Sequence, residues 1–306
     1  MGGLSRPGLA VGAGPLSARP VSEAGGVLGG TLTLGGDREV HRLGFGAMRI
    51  TGEGVWGPPP DHDVAIAVLR RAVELGVDLI DTADSYGPGV SEELIAEALH
   101  PYPAGLVIAT KGGLERGGPG VWTRNGRPEH LRDACEGSLR RLRVDCIELY
   151  QLHSPDRDVP YEDSVGAVKQ LQDEGKIRHI GVSNVSTEQL EQARAIVDVV
   201  TVQNRFNLTD RACSDVLAVC ERDGLGFFGW FPLAAGKLAE PGGAVAKIAE
   251  RHGATPGQVA LAWLLGCSSV MLPIPGTGSV AHLEENVAAA SLQLTAAELS
   301  ELDAAA

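Results

Sequence analysis

Between residues 43 and 273 the chain alternates short apolar runs with stretches whose apolar residues recur every three or four positions. Runs of the first kind read as buried strands and those of the second as amphipathic helices. Eight strands are expected, over residues 43–48, 77–81, 106–110, 146–152, 177–183, 199–203, 225–230 and 270–273. Helix punctuation fills the gaps. Val64, Val68, Leu69, Ala72 and Val73 fall on one helical face, and Gly76 suits the cap behind them. Pro128 fits the first turn of a helix carrying Leu131, Ala134, Cys135, Leu139 and Leu142. Gly175 ends a helix carrying Val165, Val168 and Leu171. Ser186 with Gln189, Thr255 with Gln258, and Thr295 with Glu298 have the three-residue spacing of a capping box.

The strands do not alternate in polarity, so both their faces are expected to be covered, as in parallel sheets flanked by helices. Eight strand–helix beats fit an open doubly wound sheet or a closed (β/α)8 TIM barrel, and the count favours the barrel. Upstream, residues 31–40 form two short runs around Gly35-Gly36, a hairpin signal placed to plug the barrel's bottom. Residues 1–30 have no period and are rich in Gly, Ala, Pro, Ser and Leu; they read as a flexible, disordered N-terminal tail. Without a continuous apolar stretch that tail does not read as a secretory signal. The barrel domain is then residues 31–306.

Length and charge narrow the class. A chain of 306 residues can bury a large core. With 26 Lys and Arg against 39 Asp and Glu, the net charge is −13, which repels phosphate backbones and anionic lipid. Nucleic acid and membrane are therefore not expected partners. Cys135, Cys146, Cys213, Cys220 and Cys267 are scattered without a C-x-x-C pair, so neither disulfides nor a metal site is expected, and a reducing cytoplasm fits.

The C-terminal strand ends of a barrel converge on one mouth. Those ends carry Asp81 with Tyr86 just beyond, Lys111, His153, Ser183-Asn184, Gln203 and Trp230. A phenol with an ordinary pKa of about 10 is a poor acid near neutrality, and a nearby ammonium is expected to lower it by about one to three units. Asp81 would keep Lys111 charged, and His153 would orient a carbonyl toward the phenol. Such a site protonates a developing alkoxide, and the hydride must come from a nicotinamide or a flavin. Gly224-Leu-Gly-Phe-Phe-Gly229 matches a dinucleotide fingerprint but falls within the seventh strand, so it is discounted; Gly236-Lys237 is followed by Leu and is no P-loop.

Asp81-Thr-Ala-Asp-Ser-Tyr-Gly87, Val107-Ile-Ala-Thr-Lys111 and Leu152-His-Ser-Pro155 together resemble the aldo-keto reductase superfamily. Gly181-Val-Ser-Asn-Val185, and Ile274-Pro-Gly-Thr277 with His282-Leu-Glu-Glu-Asn286, extend the likeness over about residues 31–304. The resemblance implies Tyr86 as general acid in a tetrad with Asp81, Lys111 and His153. It implies NADPH as cofactor, in an extended pose across the mouth. Ser183, Asn184 and Gln203 would hold the carboxamide, Trp230 would stack on the nicotinamide, and Pro232 and Leu233 would follow along the cofactor. Gly276 and His282 stand where many members place Lys and Arg against the 2′-phosphate. Thr277, Ser279 and His282 would replace them, with NADPH still favoured but NADH less strongly rejected. Glu285 and Asn286 match the pair that touches adenine.

Met48, Trp56 and Trp122, in the loops beyond the first and third strands, are the expected substrate walls. Gly44-Phe-Gly-Ala-Met48, Gly54-Val-Trp-Gly-Pro-Pro59 and Trp230-Phe-Pro-Leu-Ala-Ala235 are similar to a branch containing bacterial pyridoxal reductases. A pyridoxal-like aldehyde, a secondary-metabolite ketone and a sugar aldehyde all fit that reading. Two other functions compete: a cofactor-binding regulatory subunit of the same fold with little turnover, and a Schiff-base aldolase using Lys111. The intact tetrad opposes the first. The second needs a neutral lysine, which Asp81 opposes. Oligomeric state is not legible.

Overall fold

A computed structural model describes residues 27–233 and 243–305. Eight parallel strands form the central sheet: β3 (Phe45–Gly46), β4 (Leu79–Asp81), β5 (Val107–Gly112), β8 (Ile147–Leu152), β9 (Ile177–Ser183), β10 (Val199–Arg205), β11 (Gly226–Trp230) and β12 (Met271–Pro273). Each pairs with the next in that order. The seam between first and last is closed by Gly44 N–H donating to Pro273 O at 3.0 Å and Gly46 N–H to Pro275 O at 3.2 Å. Close approach there requires glycine. A Cβ on Gly46 would lie 2.6 Å from Ile274 O, and one on Gly276 would lie 2.5 Å from Gly46 O. The chain is a (β/α)8 barrel, and each expected strand is present.

Helices α1 (His62–Glu74), α2 (Val90–Leu99), α3 (Pro128–Leu142), α4 (Tyr161–Asp173), α5 (Thr187–Arg194), α6 (Ser214–Asp223), α7 (Ala244–His252), α8 (Pro256–Cys267), α9 (Val280–Ala288) and α10 (Ala296–Ala304) complete the chain. The capping boxes at Ser186, Thr255 and Thr295 are formed on both arms. In α1 the buried face is Ala65, Ile66, Val68, Leu69 and Ala72. Val64, expected on that face, is exposed because it sits in the first turn, where the Asp61 cap receives its N–H.

The hairpin is β1 (Thr31–Leu34) with β2 (Arg38–His41), turning through Gly35 and Gly36 at positive φ. Leu34 and Val40 enter the barrel from below and pack with Leu79, Val107, Leu149, Val200, Phe228 and Leu272. Burial of such side chains contributes about 1.5–3 kcal/mol each. Polar contacts fix the plug to the N-terminal ends of the strands: Arg38 Nε to Glu148 at 2.6 Å and His41 Nδ1 to Asp78 at 2.7 Å. Residues 1–26 of the expected tail, and Ala234, Ala235 and Gly236-Lys237, lie outside the described residues. Val27–Gly29, also read as tail, form a short 3-10 turn whose Leu28 is buried. Its main chain is held by Arg42, which donates from Nε to Gly29 O at 2.7 Å.

Side chains alternate between the two faces of a strand, and this sets up the mouth. The interior row runs Leu79 to Asp81 on β4 and Val107, Ala109, Lys111 on β5. On β8 it runs Leu149, Gln151 and then His153 just beyond. On β9, β10 and β11 it ends at Ser183, Gln203 and Trp230. On β4, β5 and β8 the row begins apolar, against the plug, and ends polar. The outward row, including Tyr150, Leu152, Ile180, Val182, Val202 and Phe227, packs under the helices.

The segment after β5, expected as one long loop, folds into a second hairpin: β6 (Leu114–Gly118) and β7 (Val121–Arg124), turning at Pro119-Gly120. It stands over the mouth and carries Trp122, which is 38 % exposed.

Candidate active site

Lys111 lies at the centre of the site and is fully buried. Its ammonium donates to Asp81 Oδ2 at 2.7 Å, to the carbonyl of Thr82 at 2.8 Å and to the hydroxyl of Tyr86 at 3.3 Å. Three donors meet three acceptors. Asp81 is anchored on its other oxygen by two side-chain amides, Gln203 Nε2 at 2.7 Å and Gln151 Nε2 at 3.3 Å. The His153 ring meets the Tyr86 ring nearly at right angles, with centroids 6.0 Å apart. Residues separated by up to 122 positions are thus in contact around one carboxylate.

Burial pushes the Lys111 ammonium down, and the Asp81 carboxylate and Tyr86 reverse this, leaving it raised and firmly charged. Tyr86 behaves differently from the sequence expectation. Burial raises its phenol above the ordinary value, and Lys111 only partly offsets this, because Asp81 neutralises much of the lysine's field. The phenol therefore keeps its proton. His153 is held well below its ordinary value, by burial first and by Lys111 second, so the ring is neutral. Ser85 Oγ lies 3.5 Å from its Nδ1. With the hydroxyl donating to Nδ1, the ring proton stands on Nε2; with the roles reversed it stands on Nδ1.

Beside the tetrad, Asn184 occupies the left-handed region at φ 59°. Its amide nitrogen donates to His153 O and Ser183 Oγ, each at 3.0 Å, and its Oδ1 accepts from the indole N–H of Trp230 at 3.1 Å. Ser183 Oγ in turn donates to Gln203 O at 2.7 Å. These residues pin the Trp230 indole at the rim. Pro232 is buried and Leu233 half-buried just after it.

Across the mouth, the loop from Ile274 leads into α9. Thr277 is buried with its hydroxyl accepting from Ser279 N–H at 3.1 Å, and the Ser279 hydroxyl caps α9 by accepting from His282 N–H at 3.5 Å. His282 itself is exposed. Glu285 accepts from Thr255 Oγ1 at 2.6 Å, which ties α9 to the start of α8, and Asn286 is buried behind it. Gly276 presents no side chain and faces the seam carbonyl of Gly46. Next to it stands Arg49, whose guanidinium is unpaired among the described residues; a Cβ on Gly276 would lie 3.6 Å from Arg49 Cγ. A cleft of about 390 Å³ opens there, lined by Arg49, Met48, Thr51, Pro60, Val64 and Gly278.

Trp122 and the Tyr86 ring meet in a T-shaped contact, with centroids 6.2 Å apart and planes at 86°. Trp56 stands nearby in the first mouth loop, which bridges to Gly87 at the end of the Tyr86 loop. Met48 is half-buried.

A family model described as the aldo/keto reductase family matches residues 42–306. The chain belongs to that family. It is 48 % identical over 274 residues to an uncharacterized oxidoreductase of Schizosaccharomyces pombe, spanning 90 % of this chain and 89 % of that protein. To pyridoxine 4-dehydrogenase of Escherichia coli it is 44 % identical over 280 residues, spanning 89 % of this chain and 97 % of the relative. Among solved structures, a glycerol dehydrogenase from Gluconobacter oxydans superposes with a TM-score of 0.82 at 30 % identity, covering 90 % of this chain and 94 % of that one. An aldo-keto reductase from Klebsiella pneumoniae in complex with NADPH superposes with a TM-score of 0.76 at 29 % identity, with the same coverage.

In this aldo/keto reductase, three residues of the mouth escape a reading of strand ends alone. Gln151 shares the Asp81 carboxylate; a glutamine two residues before His153, hence on the same face of the strand, was its signal. Ser85 reaches His153, and only the loop's path reveals it. Arg49 comes to Gly276 across the seam, from the opposite end of the barrel sequence. The Gly224–Gly229 fingerprint is a helix cap at Gly224 followed by β11.

Proposed function

We propose that this aldo/keto reductase is an NADPH-dependent enzyme that reduces an aldehyde or ketone to an alcohol, with Tyr86 as general acid. The observation carrying this reading is the contact of Lys111 Nζ with both Asp81 Oδ2 and the Tyr86 hydroxyl in a fully buried setting. A raised phenol pKa keeps the proton available across neutral pH. Once the proton is given up, the phenolate lies beside an ammonium that Asp81 prevents from leaving. His153, neutral and in the tautomer whose Nδ1 accepts from Ser85, would donate from Nε2 to the substrate oxygen and hold it toward Tyr86.

The residues at the mouth fit a nicotinamide dinucleotide. Gln203 Oε1 accepts nothing from the described residues, and Asn184 Oδ1 has a second lone pair to spare, so the unused capacity is that of acceptors, which suits the N–H groups of a carboxamide. The pinned Trp230 indole supplies a flat apolar surface beside them. At the other end, the first turn of α9, His282 and the unpaired Arg49 offer N–H groups and positive charge to phosphate. Arg49 would restore the cation that Gly276 lacks, and so keep NADPH ahead of NADH. When bound, the cofactor supplies the hydride. Glu285 and Asn286 would lie along adenine.

The name of the 44 % identical Escherichia coli relative, pyridoxine 4-dehydrogenase, puts the pyridoxine–pyridoxal pair first among substrates to test. Five cysteines without disulfides suit the reducing cytoplasm. The test is carbonyl-dependent loss of NADPH absorbance with a panel of aldehydes and ketones starting from pyridoxal. Turnover with any member supports the reading, and NADPH binding without turnover on any member contradicts it.

A further inference from the structure

One arginine joins the three segments that form the substrate side of the mouth. Arg116, on β6, uses all five of its N–H groups on main-chain carbonyls. Nε donates to Val121 O at 3.0 Å, Nη1 to Val55 O at 2.6 Å and Ser85 O at 3.1 Å, and Nη2 to Gly54 O at 2.7 Å and Gly118 O at 3.3 Å. Two of these carbonyls belong to the first mouth loop, one to the residue before Tyr86, and two to the second hairpin. The guanidinium carbon also lies over the Trp122 ring, 3.6 Å from its centroid, and 5.9 Å from that of Trp56. Stacking of this kind is worth more when partly desolvated.

The neighbouring backbone depends on this clamp. Val55 is a β-branched residue at φ 57°, a conformation costing about 1–2 kcal/mol. Its carbonyl is held from two sides, by Arg116 and by the N–H of Gly87. Gly54, at φ 66°, packs so closely on the hairpin that a Cβ would lie 2.9 Å from Gly120 N, and Gly120 N–H donates to Gly54 O. No donor of Arg116 is left for a substrate. Its fork cannot be reproduced by lysine, whose ammonium offers three donors from a point.

We infer that Arg116 is a specificity-determining positioning residue: it fixes Trp122 and the Gly54–Trp56 loop at a set height above Tyr86, and so defines a slot for flat, aromatic carbonyl substrates. This rests on the carbonyl-reductase reading above. The guanidinium lies over one face of Trp122 and the Tyr86 ring stands nearly perpendicular to the indole, so a ring entering the site meets an indole that cannot swing away. A small aliphatic aldehyde needs no such wall.

Two measurements test it. With 4-nitrobenzaldehyde, Arg116→Lys and Arg116→Ala should each raise KM about tenfold or more while changing kcat little; with propanal, kcat/KM should stay within about threefold of wild type. Equal losses on both aldehydes, or no change on either, would overturn the proposal. The second measurement needs no turnover, so it separates this inference from the functional reading. Acrylamide quenching of Trp122, isolated by subtracting the matching Trp122→Phe proteins, should increase on Arg116→Ala. Unchanged accessibility of Trp122 would overturn the clamp even in an active reductase, and a clear increase would uphold it in an inactive one.

Discussion

The Lys111 ammonium lies 3.3 Å from the Tyr86 hydroxyl and 2.7 Å from Asp81, with no exposed surface of its own. A charge that deep is tolerated only because every one of its protons has an acceptor. The pair is therefore both a structural and a chemical unit, and the two roles can be separated.

Lys111→Met should abolish turnover and leave the Asp81 carboxylate buried with only two glutamine amides as partners. Removing one member of a buried pair costs about 3–5 kcal/mol. The double variant Asp81→Asn with Lys111→Met removes both charges and should recover part of that stability without recovering activity. Denaturant unfolding of the three proteins, alongside an NADPH-oxidation assay, checks both halves.

The raised phenol and the charged lysine together set the pH dependence. With Tyr86 as the proposed acid, the kcat of carbonyl reduction should be level from about pH 6 to about pH 9 and fall only on the alkaline side. Alcohol oxidation, which needs the phenolate, should rise over the same range. A pH–rate profile in both directions reads this directly. Reduction that weakens below pH 8 would contradict it.

Asp84 gives a stability prediction independent of turnover. Its Oδ1 is buried without a partner among the described residues, and burial first, with the nearby Glu92 second, pushes its carboxyl up to about 8. A group whose folded pKa is raised binds its proton more tightly when folded. Its contribution is therefore full below the unfolded carboxyl value and is lost as pH rises toward 8. Asp84→Asn removes this dependence, so its stability relative to wild type should climb between pH 5 and pH 8, by at most about 1.4 kcal/mol per pH unit. Thermal unfolding at the two pH values checks the sign.

Arg49→Ala should weaken NADPH more than NADH. Charge-assisted hydrogen bonds contribute about 1.5–3 kcal/mol, so the NADPH Kd should rise by about 10- to 150-fold while that for NADH changes much less. Fluorescence titration with both cofactors measures the ratio. Equal weakening of the two would place Arg49 away from the 2′-phosphate.

The barrel was legible because its strands are continuous apolar runs of the right number, and the helices because their caps are written in Ser, Thr, Pro and Gly. Site residues were legible where they stand at a strand's C-terminal end, as Asp81, Lys111, Ser183 and Gln203 do. What the sequence concealed depends on paths through space. The β6–β7 hairpin is rich in Gly and charged residues, with almost nothing buried to give it a period. Arg116 earns its five acceptors only after three loops meet. The rise in the Tyr86 pKa could not be read from residue types, because desolvation depends on how completely the loop is covered, and coverage is a property of the fold.

The central claim is that Tyr86 supplies the proton while its hydroxyl contributes little to holding the cofactor. Tyr86→Phe removes one oxygen and leaves the ring under Trp122 in place. Its steady-state rate of carbonyl-dependent NADPH oxidation, measured with the NADPH Kd on the same preparation, tests that claim most directly. A loss of about 10²–10⁴-fold in kcat with Kd within about twofold of wild type is expected. Turnover near the wild-type rate in the phenylalanine variant would contradict it.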